Sequence, residues 1–193
     1  LGKGAYGEVR KAMWRGLPVA AKRLHMLSGS ACEVEAVRLS FVQEMEMLSV
    51  LRHPNLLLFL GVSYDRVSRT PSWILTELMQ TSLYEILHDQ RLQLSLPEII
   101  DISLGIVGGL QYLHGHEPPI IHRDVSSKNI LIDGSRVKIA DLGQAKFYDV
   151  AAARQTAAPG AIVYSAPEVL TGKYSPSIDI FSFGVLLVQM CSG

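Results

Sequence analysis

Excess charge of either sign is absent from this chain: 18 lysines and arginines balance 18 aspartates and glutamates over 193 residues. That balance gives no support to nucleic acid or an anionic membrane surface as a general partner. Cysteine is nearly absent too. Cys32 and Cys191 stand far apart and in no metal-ligand spacing, which argues against a zinc site and fits a reducing compartment such as the cytoplasm. No signal-peptide pattern, internal repeat or low-complexity tract appears beyond Ala151-Ala152-Ala153. The most apolar run, Phe181 to Met190, is about half of the ~20 residues a membrane span needs, and it reads as a buried core helix. With 48% of its residues hydrophobic, the chain can bury the core of one large domain or of two small lobes.

The first part reads as strand-rich. Gly2-Lys3-Gly4-Ala5-Tyr6-Gly7 is followed by Val9 to Trp14, a turn at Arg15-Gly16-Leu17-Pro18, and Val19 to Leu24. β-formers on either side of a Gly-x-Pro break predict strand, turn, strand. A dinucleotide-binding loop has the same glycine spacing but opens a helix, so that alternative fails here. A helix is predicted from about Ser40 to Leu51, with Phe41, Met45, Leu48 and Leu51 on one face; His53-Pro54 ends it. Leu56 to Val62 and Trp73 to Leu78 read as buried strands. From Thr81 the pattern turns helical: a short helix around Leu83, Ile86 and Leu87, then a long one to His114. Ser95 and Glu98 have capping-box spacing for the long helix, and Gly115 suits its C-terminal end.

The densest chemistry lies further on. His122-Arg123-Asp124, Asn129 and Asp141-Leu142-Gly143 flank the short apolar strands 130–132 and 137–139. Two carboxylates and an amide on neighbouring turns suit a magnesium ion and a nucleophile held against a phosphate. Taken in order with the glycine loop, Lys22 in an apolar strand and Ala166-Pro167-Glu168, these motifs make the chain resemble a eukaryotic-type protein kinase domain over nearly its whole length.

The resemblance implies an α+β, bilobal kinase-like fold with an incomplete C-lobe: a β-rich N-lobe over residues 1–79 with one regulatory helix, and a mainly helical C-lobe over 80–193. It implies ATP and Mg²⁺ as cofactors and a protein as substrate. Leu1, Gly2, Gly4 and Gly7 would bring backbone to the phosphates, and Tyr6 would shield them. Val9, Ala20 and Leu131 would enclose the adenine, with Thr76 behind it and Glu77 to Met79 along its edge. Lys22 would pair with Glu44, Glu46 being the rival, and meet the α- and β-phosphates. Asp124 would orient the substrate hydroxyl, Lys128 would meet the γ-phosphate, and Asn129 and Asp141 would hold Mg²⁺, with His122 a packed scaffold residue. Leu48, Phe59, Leu142 and His122 would stack as one spine above Asp179. Tyr148 and Thr156 are candidate phosphorylation sites, Thr156 opposite Arg123.

Several positions depart from the family pattern. Leu142 stands where Phe is usual, Phe181 where Trp is usual, and Ala161 where serine/threonine kinases carry Thr. Gly160 to Ser165 otherwise keeps the serine/threonine form, whereas Val125-Ser126-Ser127-Lys128 has the order of tyrosine kinases. The mixture resembles the tyrosine-kinase-like branch and favours Ser/Thr as acceptor. A pseudokinase acting as an allosteric or scaffolding module is the alternative, against which Lys22, Asp124 and Asp141 are all intact. The chain opens on the glycine loop and stops in apolar sequence at Cys191-Ser192-Gly193, as a piece of a longer polypeptide would. Such a piece is expected to fold poorly alone. Its parent would be cytoplasmic, or membrane-bound with this part in the cytoplasm, with regulatory partners reached through other domains.

Overall fold

The computed structural model describes residues 2–4, 7–23, 31–65, 71–90, 92–148, 162–172 and 174–192. Leu1, Tyr6, Thr156 and Ala161, each given a role above, lie outside the described residues. The architecture is α+β, in two compact units: residues 1–52 with 57–79, and residues 53–56 with 80–193.

The first unit is a five-stranded antiparallel sheet with one helix. β1 (Gly2–Gly4), β2 (Gly7–Trp14) and β3 (Leu17–Arg23) precede α1 (Ala31–Val50), and β4 (Phe59–Tyr64) and β5 (Pro71–Glu77) complete the order β1-β2-β3-β5-β4. Arg15 and Gly16, both at positive φ (50° and 81°), make the two-residue turn between β2 and β3, which twists with the strands it joins. The helix begins at Ala31 rather than Ser40: Val34 and Val37 extend the spacing of Phe41 towards the N-terminus, although Cys32 and the two valines lower the local helix propensity. Its buried face is Phe41, Glu44, Met47, Leu48 and Leu51, with Glu44 and Met47 taking the place expected of Met45. Arg52 closes the C-terminal end by donating to the carbonyls of Leu48 and Leu51, both at 2.8 Å.

The strand expected at Leu56 starts three residues later. Leu56 belongs to the second unit, where it forms a parallel bridge to Ile139, so the apolar run 56–62 is shared between two packing environments.

In the second unit, β6 (Thr81–Ser82) is followed by a wide helical turn at Glu85–Asp89, where the Gln90 N–H donates to the Glu85 carbonyl at 2.8 Å. α2 (Leu96–His114) starts as its sequence foretells: the Glu98 carboxylate accepts from the Ser95 N–H at 2.8 Å and from the Ser95 hydroxyl at 2.6 Å. These bonds hold the Glu98 carboxyl below its ordinary range, the hydroxyl contributing most. Ile99, Ile102, Ile106, Leu110 and Leu113 form the buried face. Gly105 and Gly109 let the helix approach the hairpin that follows: a Cβ at Gly105 would lie 2.6 Å from Val137 Cβ, and one at Gly109 2.8 Å from Ile139 Cδ1. Among the described residues this is the one helix long and apolar enough to cross a membrane by length and composition, a test that core helices also pass.

β7 (Ile120–Ile121), β8 (Ile130–Asp133) and β9 (Arg136–Ile139) precede β10 (Lys146–Phe147), which pairs with β7. β8 joins β6 and β9 in a small sheet. α3 (Ser177–Ser192) buries Ile178, Ser182, Leu186 and Met190, one stripe at a spacing of four, together with Asp179. The expectation of a buried core helix holds for that stripe only: Phe181 is 44% and Val188 68% exposed. The segment is apolar all round, but the described residues cover one side of it.

Candidate active site

Two constellations carry the chemistry-bearing residues, one in each unit. In the first, the register pairs Val9 with Lys22 and Ala20 with Thr76. Side chains alternate along a strand, so Val9, Ala20, Lys22 and Thr76 share one face of the sheet. Lys22 Nζ donates to both carboxylate oxygens of Glu44, at 2.7 and 2.8 Å. Glu44 is 5% exposed, whereas Glu46 points to solvent. A buried carboxylate held by an ammonium through two bonds fixes the lysine's direction, which an exposed pair would not. Gly4 faces Gly7 across β1 and β2, so the glycine loop is a hairpin whose backbone lacks a Cβ on both sides at its narrow end. Thr76 and Met79 are buried, and Glu77 is tied to Leu58: its N–H donates to the Leu58 carbonyl at 3.0 Å and its carboxylate accepts the Leu58 N–H at 2.8 Å.

In the second unit a hairpin does the positioning. Ile130 faces Ile139 across β8 and β9, and the Ala140 N–H donates to the Asn129 carbonyl at 2.8 Å. Asn129 and Asp141 therefore flank the open end of one hairpin although twelve positions separate them in the sequence. Asn129 Nδ2 donates to the Asp124 carbonyl at 2.8 Å and to Asp124 Oδ2 at 2.9 Å. This turns the Asn129 amide oxygen away from Asp124 and fixes the carboxylate. Asp141 adopts a left-handed backbone, φ 62°, and its Oδ1 accepts the Gly143 N–H at 3.3 Å. An amide oxygen and a carboxylate are hard donors of the kind magnesium takes from protein when phosphate and water supply the remaining ligands, so this pair fits the ion.

His122 is fully buried, with both ring nitrogens engaged: Nδ1 accepts the Asp124 N–H at 3.2 Å, which leaves Nε2–H to donate to the Ala140 carbonyl at 3.0 Å. Such a ring holds Asp124 in place and has no nitrogen left for proton transfer. Beneath it, Asp179 of α3 accepts the His122 N–H at Oδ2 (2.8 Å) and the Arg123 N–H at Oδ1 (2.9 Å), while His114 Nε2 lies 2.8 Å from the same Oδ2. Arg123 sits at φ 70°, a left-handed conformation costly for a branchless but bulky side chain. The Asp179 bond to its N–H helps to hold it there. Lys128 is exposed, its Nζ 5.0 Å from the centre of the Tyr84 ring.

Sequence reasoning missed Lys146. Burial, and secondarily the charge of Arg123, lowers its pKa, so two cations lie near each other where β10 pairs with β7. Burial also pushes the Arg123 guanidinium below its ordinary value, against the pull of Tyr174 and Asp179. No motif signals Lys146; only the pairing of β10 with β7 brings it there. Tyr148 packs against the cluster of Ile121, Ala166, Val169, Tyr174 and Ile178. Leu48, Leu142 and His122 are buried, Leu48 in the first unit and the other two in the second.

A family model of protein tyrosine and serine/threonine kinases matches residues 1–193. The chain is 39% identical over 200 residues to the seven transmembrane domain-containing tyrosine-protein kinase 1 of Dictyostelium discoideum, covering 100% of this chain and 28% of that protein. It is 34% identical over 203 residues to the serine/threonine-protein kinase VIK of Arabidopsis thaliana, with 100% of this chain and 44% of that protein covered. Against the serine/threonine-protein kinase CTR1 of the same plant the identity is 35% over 198 residues, covering 100% of this chain and 23% of CTR1. The chain thus spans less than half the length of these relatives.

Proposed function

Since the chain belongs to the protein tyrosine and serine/threonine kinase family, we propose that it transfers the γ-phosphate of ATP to a serine or threonine hydroxyl of a protein. The observation that carries this reading is the Asn129–Asp124 pair beside Asp141. One amide fixes the carboxylate that would receive the substrate proton, and presents its own oxygen at the hairpin end where Asp141 also lies.

In the proposed reaction the acceptor oxygen bonds to the γ-phosphorus as the bond to the bridging β,γ-oxygen breaks. The hydroxyl proton passes to Asp124, whose main task is to aim the oxygen in line. Lys22, held by Glu44, grips the α- and β-phosphates. The glycine hairpin covers the phosphates with backbone N–H groups, Leu1 and Tyr6 belonging to the same loop. In the first unit Val9, Ala20, Thr76 and Met79 line the adenine, and Glu77 borders it. Lys128 meets the γ-phosphate. Asn129 and Asp141 would hold Mg²⁺, which neutralises charge on the phosphate oxygens.

Serine or threonine is favoured as acceptor by the form of residues 160–165 and by the names of VIK and CTR1; the Dictyostelium relative is named a tyrosine kinase. Use of ATP would suit the cytoplasm, whether or not the whole protein is anchored, as the name of the Dictyostelium relative suggests for that protein. Product analysis tests the reading. The protein is incubated with γ-labelled Mg-ATP and a basic acceptor protein, and the product is hydrolysed in acid. Labelled phosphoserine or phosphothreonine is expected. Phosphotyrosine alone would overturn the acceptor class, and bound nucleotide without any transfer would favour the pseudokinase.

A further inference from the structure

A chain of hydrogen bonds outside the proposed transfer machinery ends on the segment between Asp124 and Asn129. Ser127 lies between Asp124 and Asn129, and its side chain is 1% exposed. Its Oγ is 3.0 Å from the Tyr164 hydroxyl, which donates to Gln189 Oε1 of α3 at 2.8 Å. A phenol has one proton, so with that proton on Gln189 the Ser127 hydroxyl donates to Tyr164. The Gln189 amide then donates from Nε2 to His88 Nε2 at 2.6 Å, which places the imidazole proton on Nδ1. Every donor runs in one direction, from Ser127 to His88.

The chain closes on itself. The His88 ring packs on Tyr84, with centroids 4.6 Å apart. The Tyr84 N–H donates to the Ser127 carbonyl at 2.9 Å, and the Tyr84 ring lies under the Lys128 ammonium, 5.0 Å from its centre. Tyr164 is clamped at its other end as well, where the Ser182 hydroxyl donates to its carbonyl at 2.7 Å. A ring of contacts thus runs from residue 127 through three separate segments and back to residue 128. All of its members belong to the second unit.

We propose that Tyr164 is a positioning residue: by joining Ser127 to Gln189 and His88, its hydroxyl fixes the Ser127–Lys128 segment between Asp124 and Asn129. The inference rests on the kinase reading above and deepens it. Removing the hydroxyl leaves the buried Ser127 Oγ without its acceptor, so the loop rotates to satisfy it and moves Lys128 and Asn129 together. The nucleotide grip of Lys22 and Glu44 belongs to the other unit and is untouched. Lys128 and Asn129 act at the transferring γ-phosphate and the metal, so the loss falls mainly on kcat and changes the KM for ATP less, a split that a general loss of structure would not produce.

The test measures kcat, the KM for ATP and the melting temperature in the full protein carrying this chain. Wild type, Tyr164→Phe, Ser127→Ala and their double variant are compared. Each single change is expected to lower kcat about tenfold, and the double variant no further, because both cut the same link. Ser127→Ala cuts it from the loop side and serves if the phenylalanine variant folds badly. Wild-type kcat in both single variants would overturn the positioning role alone, as would losses that multiply in the double variant. A fall in melting temperature with kcat and KM changed together would make the tie merely structural. A wild-type protein that transfers no phosphate would overturn the kinase reading and this role with it.

Discussion

Asp179→Asn is the perturbation for which the structure supplies the fullest reckoning. The wild-type carboxylate is 1% exposed and receives three donors: the N–H groups of His122 and Arg123 and the ring of His114. An amide can offer oxygen to one side only. In its better orientation the new NH₂ faces the Arg123 N–H, leaving that buried backbone donor unmet at about 1–3 kcal/mol. The two remaining bonds lose their charge assistance, which roughly halves them and removes about another 1 kcal/mol. The left-handed backbone of Arg123 then relaxes, returning part of its ~1–2 kcal/mol of strain. The net loss is about 1–3 kcal/mol, or roughly 4–12 °C in melting temperature for a unit of this size. Because Asp124 is the next residue, transfer is expected to fall more steeply than stability. Urea unfolding and kcat measured side by side check this. A stability change below about 0.5 kcal/mol, typical of an unremarkable surface substitution, would refute the claim that Asp179 holds the loop.

Three further outcomes are expected. Glu44→Gln weakens the two bonds that aim Lys22 and should lower kcat/KM for ATP about 10- to 100-fold; an unchanged value would remove Lys22 from the phosphate grip. Glycine-to-alanine changes in two helices should have opposite signs. At Gly105 the new methyl meets Val137 Cβ at 2.6 Å and should destabilise by about 1–2 kcal/mol, overpacking outweighing helix propensity. At Gly184 nothing lies within 4 Å, and the same change should stabilise by up to about 1 kcal/mol, so melting curves with one shared sign would contradict the packing of α2. His53 accepts the Asn55 N–H at Nδ1 and stacks on Tyr112; burial, and then Lys138, lowers its pKa below the ordinary 6.5. The unfolded chain therefore takes up this proton first as pH falls. Stability is full above 6.5 and declines as pH drops from there through the folded value. Urea midpoints at about pH 7.5 and 5.5 should converge in His53→Gln relative to wild type, and an unaltered pH slope would show the group to be unimportant.

The parts of this protein that announce themselves in sequence are those where one local pattern forces one answer. The capping box at Ser95 and Glu98 stated the start of α2, and the break at residues 15–18 stated the hairpin, although the turn is Arg15-Gly16 alone and Leu17 and Pro18 already belong to β3. His122, Asp124, Asn129 and Asp141 were legible because their chemistry is unusual at that spacing. The nine residues by which α1 exceeds its expected start were not, since Cys32, Val34 and Val37 weaken the local helix propensity even where Val34 and Val37 continue the spacing of Phe41. Leu56 was misplaced for a related reason: an apolar run looks continuous even where its first residue packs in a different unit from the rest. Lys146, Tyr164 and Gln189 stayed silent because their meaning comes from partners more than twenty positions away. Long-range pairing of this kind is fixed by tertiary register, which no local window contains.

The central claim is that Asp124 receives and aims the acceptor hydroxyl while the nucleotide is held elsewhere. A single-turnover measurement separates the two: Mg-ATP is bound first, acceptor is added, and transfer is followed by rapid quench in wild type and Asp124→Asn. Asparagine keeps the shape but cannot take the proton, so nucleotide affinity should stay within about twofold while the transfer rate falls at least about 100-fold. Transfer at the wild-type rate by Asp124→Asn would contradict the account.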